Sequence, residues 1–172
     1  MNILRFLRPE CIRLDLTTVP LPVAEDETPA MTARRKTKEK EAVMAELVHQ
    51  VLAPSPDIIN PSKLLRDLTQ RESNVTTAIA PGVAIPHVRT LQARGFVMGV
   101  ARAAEPGLHY GSLDGEPTRL FLILAAPPYD DRTYLQTERT LAELLLDEDV
   151  VQELLGVEDT QGVFNLLRRW FR

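Results

Sequence analysis

Two hydrophobic periods run along this chain, and the switches between them mark its elements. From Cys11 to Leu16, apolar Ile12, Leu14 and Leu16 alternate with Arg13 and Asp15. A period of two predicts a half-buried strand. Val83-Ala84-Ile85 is a short apolar segment that reads as a second strand, and Phe96 to Ala101 reads as a third. Leu120 to Leu124 is apolar without a break, the pattern of a central strand covered on both faces. Elsewhere the spacing is helical. Met44, Leu47, Val48, Val51 and Leu52 share one face, and Leu64, Leu65 and Leu68 form another stripe. In the last third, Leu135, Leu141, Leu144 and Leu145 mark one helix, and Val150, Val151, Leu154 and Leu155 mark the next. Val163, Phe164, Leu167 and Trp170 mark a final helix.

Breakers and caps divide these segments. Pro20, Pro22 and Pro29 fall in a stretch without periodicity beside Glu25-Asp26-Glu27, so residues 17–33 read as an exposed loop insertion. Ala53-Pro54-Ser55-Pro56 ends the first helix. Asn60-Pro61 opens the second, with asparagine as N-cap and proline at the first helical position. That helix is expected to end near Arg71-Glu72. Gly156 closes the fourth helix, and Asp159 or Thr160 caps the fifth. Pro81-Gly82 predicts a turn, and Pro86-His87 a loop that holds the histidine. The basic run Arg34 to Lys40 reads as the solvated first turns of an amphipathic helix. Strands separated by helices, with helices last, predict an α/β fold. Residues 1–172 then form a single domain with a small mixed β-sheet flanked by helices and a helical C-terminal third.

Composition narrows the function. The 172 residues are 44% hydrophobic and 26% charged, ordinary globular usage that argues against wholesale disorder. A net charge of −4 gives no overall field for nucleic acid, whose phosphates need Lys and Arg. Arg5, Arg8 and Arg13 interrupt the N-terminal apolar residues, and no apolar run approaches the length of a membrane span. One cysteine, Cys11, allows no disulfide within the chain. The expectation is a cytoplasmic domain. No G-x-x-x-x-G-K-[ST], G-x-G-x-x-G, C-x-x-C or H-E-x-x-H occurs, so no nucleotide, cofactor or metal is expected.

Candidate chemistry then rests on three histidines. His49 lies beside the apolar stripe of the first long helix and reads as a packing or surface residue. His109 lies in a glycine-bounded turn and reads as an exposed loop residue. His87 follows a proline that fixes the approach of the backbone, and it stands just beyond a short strand. A neutral imidazole is a nucleophile near physiological pH, because its ordinary pKa is about 6.5. It can attack phosphorus and form a labile phosphoramidate, which suits a carrier. Such a transfer needs positive charge around the moving group, and arginine pairs with two phosphate oxygens at once. Arg71 and Arg89 are the nearest candidates in sequence.

The run Arg71-Glu72-Ser73-Asn74-Val75-Thr76-Thr77-Ala78-Ile79, with Gly82-Val83-Ala84-Ile85-Pro86-His87-Val88-Arg89 after it, resembles a family signature. The family is the enzyme IIA domains of the bacterial phosphotransferase system, in the mannitol/fructose class that includes the nitrogen-related regulatory member. Leu14-Asp15-Leu16, Tyr110 to Pro117 and Leu122 to Pro127 extend the resemblance over most of the chain. It implies an α/β fold and a phosphorylated histidine at His87, with Arg71 assisting at the phosphoryl group. It also implies a histidine phosphocarrier protein as donor and an enzyme IIB protein or domain as acceptor. Sugar-transporting members usually carry a second active-site histidine before a leucine at a helix start. Here the matching pair is Tyr134-Leu135, and tyrosine gains no positive charge. Two readings follow. One is a sugar-system phosphoryl carrier using His87, Arg71, Arg89 and Tyr134. The other is a regulatory binding module switched by phosphorylation of His87, or a degenerate form that is not phosphorylated.

Overall fold

The computed structural model describes residues 1–171. Five strands build one mixed sheet: β1 (Leu7–Arg13), β2 (Val83–Ala84), β3 (His87–Arg89), β4 (Val97–Arg102) and β5 (Leu120–Ala126). The order is β1-β4-β5-β2, with β3 pairing β5 further along the same edge. β4 and β5 run antiparallel; β1 is parallel to β4, and β2 and β3 are parallel to β5. The helices are α1 (Pro29–Glu46), α2 (Pro61–Asn74), α3 (Asp131–Leu145), α4 (Glu148–Gly156) and α5 (Thr160–Trp170). A π-helical segment, Leu47–Leu52, continues α1.

β5 shows why the sheet sits in the middle. All seven of its residues are buried. Phe121, Ile123 and Ala125 point into a core shared with Val43, Leu47, Val51, Leu64 and Leu68 of α1, the π-helical segment and α2. Leu120, Leu122, Leu124 and Ala126 point the other way, against Leu141, Leu144, Leu154, Val163 and Leu167 of α3, α4 and α5. Burying each large side chain contributes about 1.5–3 kcal/mol. The uninterrupted apolar run in the sequence is therefore the signature of two helical layers.

On one face the layer lies very close. A Cβ built on Gly99 of β4 would stand 2.5 Å from Val51 Cγ1, 2.9 Å from Ile123 Cγ2 and 3.1 Å from the Cys11 carbonyl oxygen. Only glycine lets the π-helical segment approach the sheet so closely.

The helical caps agree with the sequence. Asn60 accepts from the Lys63 N–H, with Pro61 at the helix start, and Asp159 caps α5 through the Gly162 N–H. Several boundaries differ. β1 begins at Leu7 and ends at Arg13, ahead of the predicted 11–16, because its pairing with β4 starts at Leu7↔Met98. Leu16 still reaches β4 through its N–H to the Arg102 carbonyl. α1 begins at Pro29 behind the N-cap Thr28, so residues 29–33 of the predicted loop are helical. Proline at that position starts a helix rather than preventing one.

His87 opens strand β3 rather than standing in a loop, since His87↔Leu124 and Arg89↔Ala126 pair with β5. On α3, Leu135 is 61% exposed and Tyr134 takes the inward position. Within the basic run, Arg34, Lys36 and Lys38 are exposed as expected. Arg35, however, pairs with Glu27 at 2.6 Å, and Lys40 reaches Glu72 at 3.1 Å.

The segment between β1 and α1 is mostly exposed but is tied to side chains of α1, with Glu27 on Arg35 at one end of it. Glu46 accepts from the N–H groups of Thr17 and Thr18. The buried Glu39 accepts from the Leu21 N–H and, at 2.7 Å, from the His109 N–H. Among the described residues no helix is long and apolar enough to cross a membrane.

Candidate functional site

His87 stands at the start of β3, between the C-terminal end of α2 and the first turns of α3. Its side chain is 14% exposed. Its Nδ1 is 2.6 Å from the carbonyl oxygen of Ile85. A carbonyl only accepts, so Nδ1 carries the proton. Nε2 of the neutral ring then keeps a free lone pair. That nitrogen faces Arg71, whose Nη2 lies 2.8 Å away and donates to it. The other terminal nitrogen of Arg71 donates to the Val75 carbonyl at 3.2 Å. This contact fixes the guanidinium across the end of its own helix.

Burial holds the His87 imidazole below its ordinary pKa of 6.5. Glu138 and the Ile85 carbonyl pull upward, and Arg71 adds to the lowering. The ring is therefore neutral and nucleophilic at and somewhat below physiological pH.

The backbone around the histidine is fixed by the residue after Arg71. Successive helical residues point about 100° apart, so Glu72 turns inward where Arg71 turns outward. Buried Glu72 pairs with Lys40 and accepts from the Thr77 N–H at 2.9 Å and the Thr77 hydroxyl at 2.8 Å. The Thr77 carbonyl accepts from the Ile85 N–H at 2.9 Å. Ile85 in turn accepts from His87. One unbroken series of bonds thus runs from the α2 carboxylate to the imidazole.

A cleft of about 900 Å³ opens over this point, with Arg71, His87, Arg89, Tyr134, Leu135 and Glu138 among its walls. Tyr134 meets the His87 ring edge-on, with centroids 6.1 Å apart. Burial, and after it the Glu138 carboxylate, raises the Tyr134 phenol well above its ordinary value of 10, so it stays a neutral hydroxyl. Arg89 lies over the Tyr134 ring at 5.3 Å and pairs with Asp131. It lines the cleft without a polar contact to His87, so of the two arginines only Arg71 touches the imidazole.

The sequence reading missed Glu138, whose Oε1 is 3.0 Å from His87 Nε2. The available signal was its place one helical turn after Tyr134, which puts both on one side of α3. His49 is exposed on the π-helical segment, and His109 is half-buried beside Glu39. Neither lines the cleft. Among the described residues no group of His, Cys, Asp and Glu is placed to hold a metal.

Residues 30–170 match the family model described as "Phosphoenolpyruvate-dependent sugar phosphotransferase system, EIIA 2". The chain is 30% identical over 134 residues to the PTS system fructose-specific EIIABC component of Bacillus subtilis, a match that spans 78% of this chain and 21% of that protein. Its fold is similar to that of the nitrogen regulatory protein IIA-Ntr from Neisseria meningitidis. The TM-score is 0.74 at 22% identity, over 95% of this chain and 97% of the other. It is also similar to enzyme IIAMTL from Escherichia coli in complex with phosphorylated enzyme IIBMTL. There the TM-score is 0.61 at 20% identity, over 75% of this chain and 87% of the other.

Proposed function

Because the chain belongs to the EIIA 2 family of the phosphoenolpyruvate-dependent sugar phosphotransferase system, we propose that it is a cytoplasmic phosphoryl carrier that uses His87 as its nucleophile. The observation that carries this reading is the His87 ring held by its Nδ1 on the Ile85 carbonyl, with Nε2 turned to an open cleft and the Arg71 guanidinium 2.8 Å away. In the transfer, the Nε2 lone pair forms a bond to the phosphorus of a phosphorylated donor. The donor's N–P bond breaks, and its electron pair returns to the donor's ring. Nδ1 keeps its proton against Ile85 throughout. Arg71 exchanges its bond to Nε2 for bonds to the phosphoryl oxygens, whose charge it neutralises. Arg89 extends the positive side of the cleft, and Tyr134 supplies one neutral hydroxyl. The donor is a histidine phosphocarrier protein, and the acceptor is an enzyme IIB protein or domain.

A second reading concerns the acceptor only. Tyr134 cannot become cationic and so gives the phosphoryl group less electrostatic help than a second histidine would. A slower carrier suits regulation, in which phosphate on His87 switches docking to a regulated protein.

Intact-protein mass tests the shared chemistry, after incubation with phosphoenolpyruvate, enzyme I and the phosphocarrier protein at alkaline pH. One phosphoryl group is expected on the wild-type chain and on His49→Ala and His109→Ala, and none on His87→Ala. Equal loss in all three variants would remove the single-site assignment. No uptake by the folded wild type from a charged donor would remove the carrier reading. Mixing the phosphorylated chain with enzyme IIB then separates the two acceptors.

A further inference from the structure

His87 Nε2 has two neighbours of opposite charge, and only one of them suits phosphate. Arg71 Nη2 is 2.8 Å away and Glu138 Oε1 is 3.0 Å away. The carboxylate cannot donate, so its contact is a hydrogen bond only when a proton lies between it and the ring. In the neutral, nucleophilic ring no proton lies there, and the carboxylate faces a lone pair. Once Nε2 is bonded to phosphorus, the phosphoryl oxygens occupy the space around that nitrogen. Arg71 attracts them and Glu138 repels them. Glu138 has room to give way, since its side chain is 25% exposed and stands on the cleft wall. Facing His87 are Arg71 and Glu72 from α2 and Tyr134 and Glu138 from α3, with Arg89 two residues along its own strand. Of the two acids, Glu72 is occupied by Lys40 and Thr77. Glu138 alone meets the reacting nitrogen.

We propose that Glu138 is a further catalytic residue, one that keeps the phosphoryl group on His87 in a high-energy, readily released state. It repels the phosphoryl oxygens in the loaded protein, and that repulsion favours discharge over storage. The inference rests on the carrier reading.

Inorganic phosphoramidate, a small donor that needs no docking surface, loads the wild-type chain and the Glu138→Gln variant. The remaining phosphohistidine is followed by intact mass at pH 7.5. Glutamine keeps the shape and removes the charge. The phosphorylated variant is expected to last roughly three- to tenfold longer, because a like charge a few ångströms from the group has been removed. The equilibrium with the phosphocarrier protein is expected to shift toward the variant by a similar factor. Glu138→Asp, which keeps the charge one methylene further back, is expected to fall between the two. It also serves as the test if the glutamine variant fails to fold. Equal lifetimes and equal equilibria in loaded wild type and variants would overturn the role of Glu138 and leave the carrier reading intact. A folded wild type that takes phosphate neither from phosphoramidate nor from a charged donor protein would overturn both.

Discussion

At the scale of single residues, the site depends on which ring nitrogen carries the proton. The Ile85 carbonyl claims the Nδ1 proton at 2.6 Å, which leaves Nε2 for chemistry. Because burial lowers the His87 pKa below 6.5, the imidazole titrates below the ordinary value. Protonation puts a hydrogen on Nε2 and removes the nucleophile. The rate of phosphoryl uptake should therefore fall at a lower pH than the titration of an ordinary imidazole would give. The same shift acts on stability. Between 6.5 and the lower folded-state value the unfolded chain binds a proton that the folded chain refuses, so stability declines as pH drops through that window. Titration of the His87 ring by NMR checks the midpoint, and a value at or above 6.5 would contradict the burial argument.

His87 and Arg71 were legible in the sequence because they belong to one string of specific residues. Glu138 was not, because it lies 51 positions from His87 and only the packing of α3 against β3 brings them together. Arg89 was legible by proximity alone. An ion pair with Asp131, which sequence spacing does not reveal, turns it away from the ring.

At the scale of elements, the end of α2 does two jobs with adjacent residues. Arg71 faces the cleft, while Glu72 grips Lys40 and Thr77 inside the protein. Removing the carboxylate leaves a half-buried ammonium and the Thr77 donors without their partner. Glu72→Ala is therefore expected to cost about 3 kcal/mol, read as a lower denaturant midpoint with an unchanged slope. A loss below about 0.5 kcal/mol, the range of an exposed substitution, would show that the buried pair does not hold this helix end. Helices were easier to read than short strands. Asn60-Pro61 and Asp159 announce their helices through side chains that bond the local backbone. β3 is only three residues long, and its extended form depends on pairing with β5, far away in sequence.

At the scale of the whole molecule, one sheet is shared by two cores, and β5 contributes alternate residues to each. A cavity on either face should then weaken the same structure. Leu47→Ala, on the α1 side, and Leu122→Ala, on the α3 side, are each expected to cost about 2–5 kcal/mol. Each is also expected to lower a single calorimetric transition rather than split it. Two separate transitions in either variant would mean that the layers unfold independently. This layering was visible in the continuous apolar run of Leu120 to Leu124, which no one-sided strand would carry.

The segment between β1 and α1 has a different kind of consequence. Glu46 and Glu39 hold it largely through the main-chain N–H groups of Thr17, Thr18 and Leu21. Main-chain N–H groups are common to every amino acid except proline. The stretch can therefore drift in sequence over generations without losing its path. Val23, 65% exposed between the clamped residues and α1, offers an attachment point for a fluorescent reporter on the wild-type fold.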